Sequence, residues 1–105
     1  MSRVFITQEV SSVDYSPAAV FGDLIFVTSS NDRLSPIPSS VNNIVVCDRI
    51  RSVLTDFKPD DYLVCTGAPT IMAICGAVLG DRLKRILCWD NRSMSYFVVE
   101  LRGKL

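Results

Sequence analysis

The sequence predicts a single small α/β domain, with a mostly parallel sheet of about five strands, two main helices and a C-terminal hairpin. Three observations support this fold class. The 105 residues suit one domain. Apolar segments rich in β-branched residues alternate with two segments of helical spacing, which is the pattern of strand–helix–strand crossovers. Two further strand-like segments flank a short polar turn near the C-terminus.

The N-terminal part begins with two predicted strands. Residues 4–10 (VFITQEV) are β-branched and partly alternating, and residues 23–29 (DLIFVTS) are nearly continuous in apolar side chains, as in a strand buried on both faces. Between them, Ser16-Pro17 predicts one short helical turn, which Gly22 ends. Residues 29–40 contain two prolines and five serines, so a loop is expected there.

The remaining elements are two helices and three strands. The first helix places its apolar side chains on one stripe, and Ser39 or Ser40 is expected to cap its start. Gly80 is expected to end the second helix. The predicted bounds are 42–57 and 69–79 for the helices, and 62–66, 85–89 and 95–101 for the strands.

The connections predict how the strands pair. Strands 23–29, 62–66 and 85–89 are expected to lie parallel in one sheet, because each is joined to the next by a helical crossover. Strand 95–101 is expected to lie antiparallel to 85–89. The alternative is an α+β meander, in which 4–10 and 95–101 are adjacent edge strands of a second sheet.

Residues 62–80 raise the question of a membrane span, because none of these nineteen residues is charged. Gly67-Ala68-Pro69 interrupts the run in its middle, and the segment 62–66 is strand-like. A core strand and turn followed by a helix is therefore expected, and no membrane contact is predicted.

The helix at 69–79 is expected to build an interface between copies of the chain. It contains one polar side chain, Thr70, and its aliphatic residues point in every direction around the axis. A domain with two main helices has little material to cover such a helix, so a homo-oligomer is predicted, with a dimer as the first guess. Strand 95–101 is the rival interface, because an exposed edge pairs readily with its twin. The interface candidates on the helix are Ile71, Ile74, Cys75 and Val78.

The charge pattern bears on nucleic-acid binding. The formal net charge is zero, which argues against backbone-driven binding of nucleic acid. However, residues 81–105 carry six basic and three acidic side chains. The pattern indicates either ordinary solvated faces or a basic patch, and the residues that such a patch would use are Arg82, Lys84, Arg85 and Arg92.

The sequence excludes several chemistries. It has no histidine, so no Ser–His or Cys–His couple exists, and its four cysteines stand too far apart to form a Cys-x-x-Cys pair. No metal, cofactor or catalytic residue is therefore predicted. Each cysteine lies in an apolar run, and residues 1–10 contain no signal-peptide core, which together favour a reducing cytoplasm.

A ligand site, if present, is expected where the parallel strands end. The turn after strand 62–66 has one glycine and lacks both the P-loop and the dinucleotide fingerprints, so pure turn structure is the main interpretation and weak anion binding the alternative. Cys65, next to a helix N-terminus, would have a lowered thiol pKa. For the acidic residues at these ends, turn or capping roles are the alternative to chemistry. The candidate ligand-binding residues are Ser29, Ser30, Asp32, Thr66, Gly67, Trp89, Asp90 and Arg92.

The C-terminal part of the chain resembles small proteins of unknown function that tailed bacteriophages encode. The resemblance rests on Asp61-Tyr62, Gly67-x-Pro69, Trp89-Asp90, Tyr96 and Val98-Val99-Glu100. It implies a phage protein that acts in the host cytoplasm, and it implies no activity. Those relatives often have aspartate between the glycine and the proline, where this chain has Ala68.

Two functions are therefore predicted. The leading hypothesis is a non-catalytic binding or assembly protein that acts as a homo-oligomer and engages a host or phage component. The alternative is a small ligand- or nucleotide-binding module, or an enzyme, that uses the polar residues at the carboxyl ends of the parallel strands.

Overall fold

A computed structural model describes residues 2–102. It contains five strands, two α-helices and two short 3-10 helices, in the predicted order. The strands are β1 (Arg3–Ile6), β2 (Asp23–Phe26), β3 (Tyr62–Val64), β4 (Arg85–Asp90) and β5 (Ser95–Glu100); the helices are α1 (Val41–Leu54) and α2 (Pro69–Leu79); the 3-10 helices are Ser16–Phe21 and Gly80–Arg82.

All five strands form one sheet in the order β2-β1-β3-β4-β5. β1 to β4 are parallel, and β5 is antiparallel to β4. The predicted fold class is confirmed. The alternative of two sheets is wrong, because β1 lies inside the sheet between β2 and β3 and makes no pair with β5.

The two faces of the sheet are covered by different elements. α1 and α2 both pack on one face, where Phe5 and Leu63 meet Ile50, Leu54 and Ile71. The 3-10 helix at 16–21 and the loop before it pack on the other face, where the core is formed by Val4, Ile6, Tyr15, Ala18, Val64, Leu87 and Tyr96. We call these the helix face and the 3-10 face.

Helix α1 begins and ends on identifiable contacts. The Ser40 hydroxyl accepts a hydrogen bond from the Asn42 N–H at 3.2 Å, which confirms Ser40 as the cap. The helix ends at Leu54, three residues before the predicted end. There the Arg82 guanidinium donates to the Leu54 carbonyl at 2.8 Å and supplies one of the partners that a helix C-terminus needs.

Helix α2 has the predicted bounds. The expectation that the domain cannot cover its apolar side chains is wrong. Ile71 and Cys75 are fully buried against the sheet and α1, so they are not available to a partner. Ile74 and Val78 are half-buried and pack against the same core. The outward side carries small residues such as Ala73 and Ala77, which leave little apolar surface to cover. None of the helices described for residues 2–102 is long and apolar enough to cross a membrane.

A buried carboxylate holds the start of the sheet together. Asp61, just before β3, is 1% exposed. It accepts hydrogen bonds from the Arg3 N–H at 2.8 Å and the Lys58 N–H at 2.9 Å, and its other contact is the Arg3 guanidinium at 3.1 Å. Asp61 thus joins the first residue of β1 to the turn that leads into β3.

We expect Asp61→Ala to lower the free energy of unfolding by about 3 kcal/mol, because it leaves two backbone N–H groups and a guanidinium without their acceptor. Urea denaturation followed by circular dichroism measures this change. The matched control is Asp60→Ala, an exposed neighbour, which should change the free energy by less than about 0.5 kcal/mol. Equal effects of the two substitutions would contradict the role assigned to Asp61.

Candidate functional site

The strand order reverses direction between β1 and β3, because the chain adds β2 on one side of β1 and then β3 and β4 on the other. In open α/β sheets, such a reversal leaves a crevice beyond the carboxyl ends of the strands, where ligands bind. Thr7 and Gln8 follow β1 here, and Cys65, Thr66 and Gly67 follow β3.

The Gln8 side chain fills this crevice. Its amide nitrogen donates to the Ser29 carbonyl at 3.0 Å and to the Asp32 carbonyl at 2.8 Å, and its amide oxygen accepts from the Ala68 N–H at 2.8 Å. Gln8 therefore bonds the loop after β2 to the N-terminus of α2. One of the N–H groups at this helix start, that of Ala68, is therefore already paired with protein.

Gly67 and Thr66 belong to the same packed region. Gly67 has a φ of 93°, and a Cβ there would collide with the Gln8 side chain, so both the backbone angle and the space require glycine. The Thr66 hydroxyl donates to the Gln8 carbonyl at 2.7 Å and lies 2.8 Å from the Tyr15 hydroxyl. Sequence reasoning missed Gln8 and Tyr15, since each contacts residues far away along the chain.

The loop after β2 holds three more candidate residues. Asp32 accepts the Ser29 N–H at 2.8 Å and forms an ion pair with Arg49. Partial burial acts to raise the pKa of Asp32, but the hydrogen bonds from Arg49 and Ser29 outweigh it and hold the pKa below its ordinary value. Ser30 and Asp32 line a shallow cavity of about 340 Å³ beside Gln8 and Thr70.

The last three candidates lie at the β4–β5 hairpin. Asp90 accepts the Ser93 hydroxyl at 2.9 Å and the Arg92 N–H at 3.1 Å, which is the role of a turn residue. These two bonds hold the pKa of Asp90 below its ordinary value. The Trp89 indole N–H donates to Asn91 at 2.7 Å, and its ring packs edge-on against Tyr96 at a centroid distance of 5.0 Å.

The eight candidates therefore occupy different places. Ser30 and Asp32 line the shallow cavity, where the Ser29 N–H donates to Asp32, and Gly67 packs against Gln8. Asp90 and Arg92 form the hairpin turn, and Thr66 and Trp89 line a larger cavity. This larger cavity, which we call the main pocket, has a volume of about 730 Å³. It opens at the carboxyl ends of β3 and β4, between the loop before the first 3-10 helix and the hairpin, and is lined by Val13, Asp14, Pro17, Val64, Cys65, Thr66, Ile86, Leu87, Cys88, Trp89, Met94 and Tyr96.

The main pocket is apolar apart from a few groups, and its volume suits a small molecule. Asp14 is the charged side chain among the lining residues, and its carboxylate accepts the Ser16 N–H at 2.9 Å. Tyr96 contributes a phenol. The sequence did not predict either residue as a ligand-binding residue. In the sequence, Asp14 looks like any polar loop residue, and Tyr96 looks like any aromatic residue of a strand.

Two thiols also line the main pocket. Cys65 follows β3 and Cys88 lies in β4. Burial, and then the neighbouring Cys88, raise the pKa of the Cys65 thiol, so the expected lowering is wrong. Burial also raises the pKa of Cys75, in α2, to about 12. Cys65 is thus not activated as a nucleophile. Within residues 2–102, no three acidic or cysteine side chains are placed to hold a metal ion.

Two of the four basic residues named for a patch, Arg82 and Arg85, are engaged in contacts within the protein. Arg82 is bonded to the end of α1, and the Arg85 guanidinium donates to the Tyr62 hydroxyl at 2.9 Å while lying over its ring. Arg92 lies on the hairpin turn, and Lys84 is exposed just before β4. Nucleic-acid binding through these four residues stays a prediction.

We expect Gln8→Glu to destabilise the fold by about 3 kcal/mol at pH 7, because a carboxylate oxygen would then face the Ser29 and Asp32 carbonyls in place of an N–H donor. The new carboxyl would have a pKa raised above its unfolded value, so the variant should recover stability as the pH falls towards 5. Urea denaturation at several pH values measures both effects. Glu9→Gln, an exposed neighbour, should show neither, and a pH-independent loss in the Gln8 variant would argue against the proposed contacts.

Comparison with known protein families gives a match that covers nearly the whole chain. The family model described as Phage Pam3 gp32-like protein matches residues 2–103. No curated protein and no solved structure matches this chain. The match supports the phage origin that the C-terminal pattern implied. Since it spans almost the whole sequence, the chain belongs to the Phage Pam3 gp32-like protein family.

Proposed function

We propose that this phage protein is a non-catalytic assembly protein, which acts as a homodimer in the host cytoplasm and pairs through the outer edge of β5. The observation that carries the proposal is the exposure of β5. Within residues 2–102 this strand pairs with β4 alone, and five of its six residues are exposed. Four free cysteines fit a reducing compartment.

The hydrogen bonds of the hairpin determine which backbone groups of β5 are free. The Leu101 N–H donates to the Lys84 carbonyl at 2.8 Å. Because hydrogen-bonded pairs alternate along antiparallel strands, the backbone N–H and C=O groups of residues 97 and 99 also point towards β4. Tyr96, Val98 and Glu100 therefore direct their N–H and C=O groups outward. A row of such groups is a template for another strand.

The side chains of β5 are apolar on both faces of the sheet. Phe97 is 50% exposed, and Val98 and Val99 are each 37% exposed. Phe97 and Val99 lie on the helix face, while Val98 lies with Tyr96 on the 3-10 face. Soluble chains commonly protect an edge strand with charge or proline, and this edge has only Glu100 near its end.

Two copies of β5 can pair antiparallel about a two-fold axis that passes through Val98 of each copy. In that arrangement Phe97 faces Val99 of the partner subunit, and the reverse pair forms on the other side of the axis. Aromatic and β-branched side chains are favourable cross-strand neighbours, worth roughly 0.2–1 kcal/mol for each pair. Both copies would contribute the same surface, as two-fold interfaces require.

We expect the native protein to have about twice the 11.6 kDa mass of one chain in light scattering at micromolar concentration. Val98→Pro removes one outward N–H without touching the bonds to β4, so it should give a folded monomer. Ala77→Glu places a charge on the exposed side of α2 and should leave the dimer intact. A native monomer, or dissociation by the Ala77 substitution alone, would defeat the proposed interface.

The second candidate function is a small ligand-binding module, which the main pocket favours. Its lining contains no basic side chain, so apolar ligands suit it better than nucleotides or phosphate. The acids Asp32 and Asp90 are engaged in turns, which gives no support to an acid–base enzyme.

A thermal-shift screen tests this second function. We expect phenethyl alcohol, present at 100 times its dissociation constant, to stabilise the protein by about 2.7 kcal/mol. ATP and inorganic phosphate should give no shift. A shift with ATP and none with phenethyl alcohol would reverse this preference.

A further inference from the structure

The main pocket contains a phenol that the protein does not pair. Tyr96 is only 9% exposed, and no hydrogen bond joins its hydroxyl to another residue of the range 2–102. No fully buried side-chain oxygen or nitrogen in this range lacks a partner, so the Tyr96 hydroxyl must be accessible. Since Tyr96 lines the main pocket, its hydroxyl is available to a molecule there.

A carboxylate lines the same pocket as this hydroxyl, because Asp14 and Tyr96 are both lining residues. Burial raises the pKa of Tyr96, and the negative charge of Asp14 acts in the same direction. The phenol thus stays protonated at neutral pH. The hydrogen bonds from Ser16 hold the pKa of Asp14 below its ordinary value, so its carboxylate stays ionised and oriented.

Most of the remaining lining is apolar and includes Val64, Leu87, Trp89 and Met94. The exceptions are Thr66 and the thiols of Cys65 and Cys88. A ligand that matches the pocket therefore has an apolar body and a positively charged head that donates hydrogen bonds.

We propose that the main pocket binds a small organic amine, with its apolar body against Leu87 and Trp89 and its ammonium group facing Asp14 and the Tyr96 hydroxyl. This inference rests on the second candidate function, and it names the ligand class. The ammonium donates to the carboxylate and to the phenol oxygen, and no covalent step is involved.

The test compares three ligands that share one apolar body: phenethylamine, phenethyl alcohol and hydrocinnamate. Trp89 is the chain's only tryptophan and lines the pocket, so its fluorescence reports binding. We expect the amine to bind about three to five times more tightly than the alcohol, and the acid to bind most weakly.

Two substitutions assign this preference to the named groups. Asp14→Asn keeps an acceptor for the Ser16 N–H, and it should remove the advantage of the amine while leaving alcohol binding unchanged. Tyr96→Phe should weaken binding of both amine and alcohol, by about twofold or more. Asp81→Asn, at an exposed site outside the pocket, should change nothing.

The outcomes separate the two ideas. If the amine and the alcohol bind equally to the native protein, or if the Asp14 variant keeps the preference, the amine proposal is wrong and the ligand-binding function survives. If none of the three ligands changes Trp89 fluorescence or the melting temperature, both the amine proposal and the ligand-binding function are wrong.

Discussion

The fold depends on one constraint, which is that crossovers between parallel strands are right-handed. The chain adds β2 on one side of β1 and then adds β3 and β4 on the other side. The connection from β1 to β2 therefore lies on one face, and the two helical crossovers lie on the opposite face. Because the first connection is only a 3-10 helix of six residues, the 3-10 face receives much less cover than the helix face. The main pocket lies beside this thin cover.

The same reversal creates the crevice that most folds of this type use for ligands, and Gln8 occupies it. Its three hydrogen bonds join the ends of β1, β2 and β3, so Gln8 ties these loops together beside the shallow cavity. The larger space lies one strand along, at the ends of β3 and β4. The polar groups there include Thr66, at the end of β3, together with Asp14 from the loop and Tyr96 from the hairpin.

The sheet is also wider than its covering layers. β5 extends beyond the two helices, and Phe97 and Val99 stay partly exposed on the helix face. A second group of exposed aliphatic side chains lies where α1 begins, at Ile37, Val41 and Ile44. This second group does not lie on an edge strand. A partner could bury these side chains, but it would find no row of free backbone N–H and C=O groups to orient it. β2, the other edge strand, has four residues and exposes Phe26, whereas β5 has six residues and exposes Phe97, Val98 and Val99 beside its free backbone groups. The longer apolar edge of β5 is why it carries the proposed interface.

The sequence alone determined the elements and the class of fold. The bounds of α2, a serine cap for α1 at position 39 or 40, and the hairpin all rest on neighbours within a few residues, where local patterns are informative. Tertiary structure decided what those patterns do. Gln8 resembles the end of a strand, yet it bonds Ala68, 60 residues away. Ile71 and Cys75 belong to a helix that is apolar on all sides, and only the packing of α1 and the sheet around it shows that they are core residues. Arg82 resembles a member of a basic patch, but it stabilises the end of α1. Contacts between residues so far apart in the chain depend on strand order and on the hand of each crossover, and no local pattern contains that information.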